Sequence, residues 1–154
     1  MPHQLTQKEQ MLLEDLKKHE EVCIHKYQTY GGKVQDPQLK QLLDSYAQQE
    51  QQHLDSVNQM LRGEIPPMSS GQQSSTPTMT ATAQTQGTGS KQDELLLTDL
   101  LMTEKHVSGT YDTAIFEFTN PQMRQALNHI QKEEQQHGEG LFNYMTTHGM
   151  YTPK

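Results

Sequence analysis

The chain of 154 residues has no tryptophan, one cysteine and three phenylalanines, and only 31% of its residues are hydrophobic. A lone Cys23 excludes an intramolecular disulfide. Beside Ile24 on a helical pattern, it is expected to be a small buried hydrophobe and not a nucleophile. No apolar run reaches the roughly 18 residues that a membrane span needs. Basic residues are also scarce. Twelve Lys and Arg stand against 19 Asp and Glu, a net charge of −7, and no basic cluster offsets it, which argues against a nucleic-acid partner. The opening MPHQLTQKEQ lacks the apolar core of a signal peptide, so the chain is expected to stay in the cell that makes it. With so few large apolar side chains the core must be narrow, and the length fits a single domain over residues 1–154.

What is present is a repeat. Residues 12–61 align with residues 96–145 at a constant offset of 84, without a gap. Fifteen of the fifty positions are identical, among them Glu20 and Glu104, Tyr27 and Tyr111, Pro37 and Pro121, and the stretch E-Q-Q-H at 50–53 and again at 134–137. A duplicated unit explains this. Each copy reads as two helices. Thr6 to Glu9 forms a capping box, and Gly31-Gly32 is a stop signal. Asp36-Pro37 and Asn120-Pro121 each supply an N-cap and a proline at the first helical position. Ser90 can cap the third helix, and Gly63 and Gly149 follow the second and fourth. Between the hairpins at 6–62 and 91–149 lies a stretch at 63–90, rich in Gly, Ser, Thr, Gln and Pro and almost free of charge, which reads as a linker. The expected fold is all-α: a ferritin-like four-helix bundle of two duplicated hairpins joined by a long crossover.

Apolar residues spaced by three and four define the inward stripe of each helix. The first helix gives Leu12, Leu16, Cys23/Ile24 and Tyr27. The second gives Leu39, Leu43, Tyr46, Val57 and Met60. The third gives Leu96/Leu97, Leu100, Val107 and Tyr111, and the fourth Met123, Leu127, Ile130, Leu141 and Tyr144. Six polar residues interrupt these stripes near the middle: Glu20, Glu50, His53, Glu104, Glu134 and His137. A buried carboxylate must take up a proton or find a partner. Four carboxylates and two imidazoles at one level call for positive charge among them, which two divalent ions would supply. Glu-x-x-His places both groups on one helix face, one turn apart, so both can ligate one ion. One Glu from each of two helices plus Glu-x-x-His from each of the other two is the ligand set of di-iron and di-manganese bundles. In this reading Glu50/His53 and Glu134/His137 each hold one ion, Fe or Mn, and Glu20 and Glu104 bridge or chelate from the other side, bridging being expected of them in a redox centre. The competing reading is a metal-free polar layer satisfied by Glu–His pairs, a protonated Glu and buried water.

Other residues carry weaker signals. Tyr27 and Tyr111 are expected mainly as core packing, with a hydrogen bond to a ligating carboxylate as the alternative. His19, His25, His106 and His129 fall off the stripes and are expected to face solvent. His148 suits the last turn of the fourth helix. Gly138 and Gly140 weaken that helix. Nine Met read as core filler and linker composition.

The second half, from Leu95 onward, resembles the Coat F family of bacterial spore coat proteins. The resemblance rests on Glu104, Lys105 and Tyr111, the helix start from Asn120 to Arg124, Glu134 with His137, and the ending from Leu141 to Pro153. It implies a ferritin-like fold and a product of spore-forming bacteria, made in the mother-cell cytoplasm and deposited on the spore coat. A homodimer and other spore coat proteins are the expected partners. Function is thus expected to be structural or assembly-related, with a di-metal oxidoreductase handling oxygen or peroxide, or a metal-sequestering protein, as alternatives.

Overall fold

The computed structural model describes residues 3–67 and 90–153. Its elements are α1 (Gln7–Gly31), α2 (Pro37–Leu61), α3 (Lys91–Glu117) and α4 (Pro121–Thr147), and no strand occurs among the described residues. The all-α, four-helix expectation therefore holds. Of the connection expected at 63–90, residues 68–89 lie outside the described residues.

The helix starts follow the capping chemistry. Thr6 Oγ1 accepts the Glu9 N–H at 3.0 Å while the Glu9 carboxylate accepts the Thr6 N–H at 2.9 Å, which closes the capping box. Asp36, Ser90 and Asn120 cap α2, α3 and α4 in the same sense. At the far ends of α2 and α4 the chain turns through Gly63 (φ 78°) and Gly149 (φ 71°), conformations that favour glycine.

Four helix pairs are neighbours: α1 with α2, α3 with α4, α1 with α3, and α2 with α4. Side-chain pairings set their directions. Tyr27 meets Glu104 and Tyr111 meets Glu20, so α1 and α3 are antiparallel. His53 meets Glu133 and His137 meets Gln49, so α2 and α4 are antiparallel too. Short loops make each hairpin antiparallel, and the diagonal pairs are therefore parallel. It follows that α2 ends and α3 begins at opposite ends of a bundle whose 25-residue helices run about 37 Å.

The stripes are buried largely as spaced in the sequence, with one shift. Leu13, not Leu12, points fully inward at the start of α1, and Leu97 is the buried member of the Leu96/Leu97 pair. Two apolar clusters result. One contains Leu16, Cys23, Val57, Met60, Val107, Met123 and Leu127. The other contains Leu39, Leu43, Tyr46, Leu97, Leu100, Leu141 and Tyr144. A polar layer lies between them.

Candidate metal centre

The six residues singled out in the stripes all come from the middle of their helices, and all are buried: Glu20, Glu50, Glu134 and His137 at 0% exposure, His53 at 2% and Glu104 at 3%. They converge. One ligating atom from each of Glu20, Glu50, His53 and Glu134 falls within a sphere of mutual distances no greater than 4.8 Å, and the same holds for Glu50, Glu104, Glu134 and His137. The two clusters share Glu50 and Glu134. The expectation that Glu20 and Glu104 bridge is therefore not what the geometry gives. Because α2 and α4 run antiparallel, the Glu of each E-x-x-H motif is carried between the two histidines, whereas Glu20 and Glu104 each approach one cluster from the side.

The histidines are held from behind. His53 Nε2 lies 2.8 Å from Glu133 Oε1, and His137 Nε2 lies 2.6 Å from Gln49 Oε1. Each acceptor fixes the proton on Nε2 and turns Nδ1 inward, the arrangement that orients an imidazole for ligation. His53 Nδ1 stands 2.9 Å from Glu50 Oε1, 2.7 Å from Glu134 Oε1 and 3.9 Å from Glu20 Oε2. His137 Nδ1 stands 3.4 Å from both Glu50 Oε1 and Glu104 Oε1. Glu133 and Gln49 were missed in the sequence. Their signal was there: they are offset by 84, and Glu133 sits four residues before His137 on the edge of the α4 stripe.

The tyrosines hold two of the carboxylates. Tyr27 donates to Glu104 Oε1 and Tyr111 to Glu20 Oε1, each at 2.6 Å, and both hydroxyls are buried. Core packing alone does not describe them. Each reaches across to the glutamate of the opposite hairpin. Burial pushes both phenols well above their ordinary range, and the neighbouring carboxylates push the same way, so the hydroxyls remain donors.

With every carboxyl ionised, Glu20 Oε2, Glu50 Oε2, Glu104 Oε2, Glu134 Oε2 and His137 Nδ1 are buried without a hydrogen-bond partner, and Glu134 Oε1 has only its 2.7 Å approach to His53 Nδ1. Such groups are costly to leave bare. Protons relieve part of the cost. Burial, then the neighbouring Glu104, Glu50 and Glu20, raises the Glu134 carboxyl well above the usual carboxylate range. Burial and Glu50 do the same for Glu20. Burial also works to raise Glu50, but hydrogen bonds from Glu134 and His53 outweigh it and hold Glu50 low, at about 2. Burial disfavours a charged His53, yet its bonds to Glu133 and Glu50 raise it well above its ordinary value. A proton on Glu134 directed at Glu50, and a cationic His53, are how the metal-free layer reaches local balance. Divalent cations would do so more completely. The donor set of carboxylate oxygens and inward Nδ1 atoms could hold a divalent cation.

Residues 92–154 match the family model described as the Coat F domain. The chain carries a Coat F domain. No curated protein and no solved structure matches the chain. The Coat F domain comprises nearly all of α3 and all of α4, and brings Glu104, Glu133, Glu134, His137 and Tyr111. Glu20, Gln49, Glu50, His53 and Tyr27 precede it. Neither cluster is complete within the Coat F domain: one takes Glu20, Glu50 and His53 from the first hairpin, and the other takes Glu50. Cys23 is buried. His25 and His106 are exposed, but His19 and His129 are half-buried, His19 against the His106 ring at 5.2 Å and His129 with Nε2 3.4 Å from Glu133. His148 caps α4, its Nδ1 2.9 Å from the Tyr144 carbonyl. No described helix is long and apolar enough to cross a membrane.

Proposed function

We propose that this chain is a spore coat protein whose ferritin-like bundle is cross-braced at its centre by two divalent ions. The Coat F domain supports the coat assignment. The observation that carries the metal is the pair of four-residue clusters sharing Glu50 and Glu134, with both histidines held by acceptors on Nε2. Glu20, Glu50, His53 and Glu134 would hold one ion and Glu50, Glu104, Glu134 and His137 the other. The ions, Fe or Mn, would neutralise the carboxylates and tie all four helices together. The chain acts as a structural or assembly component, made in the mother cell and laid down with other coat proteins, as a homodimer.

The test is metal content after loading the purified full-length protein with Mn(II) and removing excess. Two ions per chain support the reading, and a Glu50→Ala, Glu134→Ala double variant should retain none. A wild-type protein that stays metal-free after loading sinks it. The second reading is a redox centre handling oxygen or peroxide, where paired ions supply Lewis acidity and electrons. One observation favours it over a sealed brace: Glu104 and Glu134 line a surface groove.

A further inference from the structure

Between α3 and α4 runs a groove of about 500 Å³ whose lining includes Leu101, Glu104, Ser108, Gly109, Glu134 and Gly138. Its floor is the edge of the polar layer. Glu104 and Glu134, at 3% and 0% exposure, present buried carboxylate oxygens without hydrogen-bond partners, and Ser108 Oγ is likewise buried and unpartnered. Glu104 Oε2 and Ser108 Oγ thus lie on groove-lining residues with no protein partner, while Glu134 Oε1 looks inward to His53 Nδ1 at 2.7 Å, so Glu134 joins the groove wall to the polar layer.

The groove owes its depth to two glycines that packing does not require. A Cβ at Gly109 would meet nothing within 4 Å, and one at Gly138 would meet only Leu101 Cδ1, at an ordinary 3.8 Å. Neither glycine has a positive φ. Each costs its helix about 1 kcal/mol relative to alanine, with no turn or close backbone approach to explain it. The duplicated half supplies a comparison within one chain. At the offset of 84, Ser108, Gly109 and Gly138 correspond to Ile24, His25 and Leu54. At these three positions the α1–α2 face carries the larger side chains. The two halves share their ligands but not their covering.

We infer that the α3–α4 groove is the route by which a divalent cation reaches the centre from solvent. This rests on the reading that the centre binds metal. An aquated ion entering past Gly109 and Gly138 meets Glu104 and Glu134 first, and exchanges water for carboxylate oxygens there. Asp112 on the groove lining adds attraction; Lys105 opposes it. The Gln131 amide donates to the Ser108 carbonyl across the groove at 2.9 Å and keeps α3 and α4 in register beside the opening. Glu134, common to both clusters and on the groove lining, would be the ligand that connects the opening to each of them.

The test is stopped-flow uptake of Co(II), followed by its visible absorption, in the full-length protein. Gly138→Leu should slow uptake by about tenfold or more, the effect of one added side chain raising the barrier at a constriction, while the final stoichiometry stays at the wild-type value. Gly138→Ala, which adds one methyl group and favours the helix, should fall between, so the rates order as Gly, Ala, Leu even if the leucine variant folds poorly. Leu54→Ala on the opposite face should leave the rate unchanged. Equal rates for Gly138 and its two variants overturn the route while leaving the metal reading intact. A wild-type protein that takes up no Co(II) overturns the metal reading itself. Acceleration by Leu54→Ala assigns the route to the other face and overturns the proposal.

Discussion

Replacing Glu134 by glutamine should make the metal-free protein more stable and the metal-loaded protein less so. Glu134 is fully buried, and its carboxyl is raised by burial and by three neighbouring glutamates. A carboxyl that takes up a proton on folding costs about 1.4 kcal/mol for each pH unit above its ordinary value. From the ordinary 4.5 to pH 7 the ceiling is therefore about 3 kcal/mol. The sign follows from proton counting. Between pH 4.5 and the raised folded value the native state holds more protons than the unfolded one, so the contribution is fully present below pH 4.5 and is lost as pH rises towards the folded value. Glutamine keeps the shape, donates permanently towards Glu50 and has no proton to acquire. The variant should gain about 1–3 kcal/mol at pH 7, which is about 2–10 °C in Tm for a chain of this size, and lose that part of the pH slope. Bound metal, as proposed, should reverse the order. At a free ion concentration of 100 Kd each site stabilises by about 2.7 kcal/mol, and two sites by about 5.4 kcal/mol or roughly 10–20 °C. Glu134 serves both clusters, so Glu134→Gln should abolish the whole shift. Glu20 serves one, and Glu20→Gln should halve it. Calorimetric or fluorescence melts in EDTA and in Mn(II), at pH 5 and pH 7, read all of this. A Glu134→Gln protein that is less stable than wild type in EDTA at pH 7, or that keeps the full Mn(II) shift, refutes the reasoning.

Three further outcomes are expected. Glu133→Gln should weaken one of the two ions by about 10–100-fold in calorimetric titration, because the His53 ring would lose a carboxylate acceptor and match the Gln49-supported His137; Gln49→Glu should tighten the other. Tyr111→Phe leaves Glu20 Oε1 without its donor and should cost about 1–3 kcal/mol in urea unfolding of the metal-free protein, with Tyr27→Phe equivalent within error. Glu9→Gln should lower stability at neutral pH, since the Glu9 carboxylate accepts the Thr6 N–H and, at 2.8 and 3.0 Å, the Thr119 N–H and hydroxyl. Burial works to raise that carboxyl, but these bonds outweigh it and hold it below 4.5. Its contribution is thus present above pH 4.5 and lost as pH falls through the lowered value, and the difference between wild type and variant should shrink on acid titration of the melts.

Much of this architecture is legible in the sequence because the signals are local. A capping box, two Asx-Pro starts and stripes of period 3.6 depend on neighbours a few residues apart, and all four helices begin where those signals stand. The six central residues are legible for the same reason: each breaks an apolar stripe at mid-helix. What escapes is whatever depends on how helices cross. The sharing of Glu50 and Glu134 follows from the antiparallel crossing of α2 and α4, which no single helix records. Glu133 and Gln49 sit at stripe edges, where only the facing helix decides whether a side chain is inside. Leu12 and Leu13 differ by 100° of helix rotation, and only the packed partner selects between them. The depth of the α3–α4 groove lies in side chains that are missing, which a search for conspicuous residues passes over.

The exchange of tyrosines across the hairpins has a consequence for how this chain came to be one chain. Tyr27 serves Glu104 and Tyr111 serves Glu20 at the same 2.6 Å, a reciprocity of the kind an isologous dimer shows. A single ancestral hairpin, paired with a copy of itself, would have built the whole centre from two identical halves, with no position free to change in one without changing in both. Joining the copies would turn an encounter between molecules into one within a molecule. It also broke the symmetry constraint. From then on one half could carry Glu133 where the other carries Gln49, and Gly138 where the other carries Leu54, so that a centre once obliged to be the same on both sides acquired a front and a back.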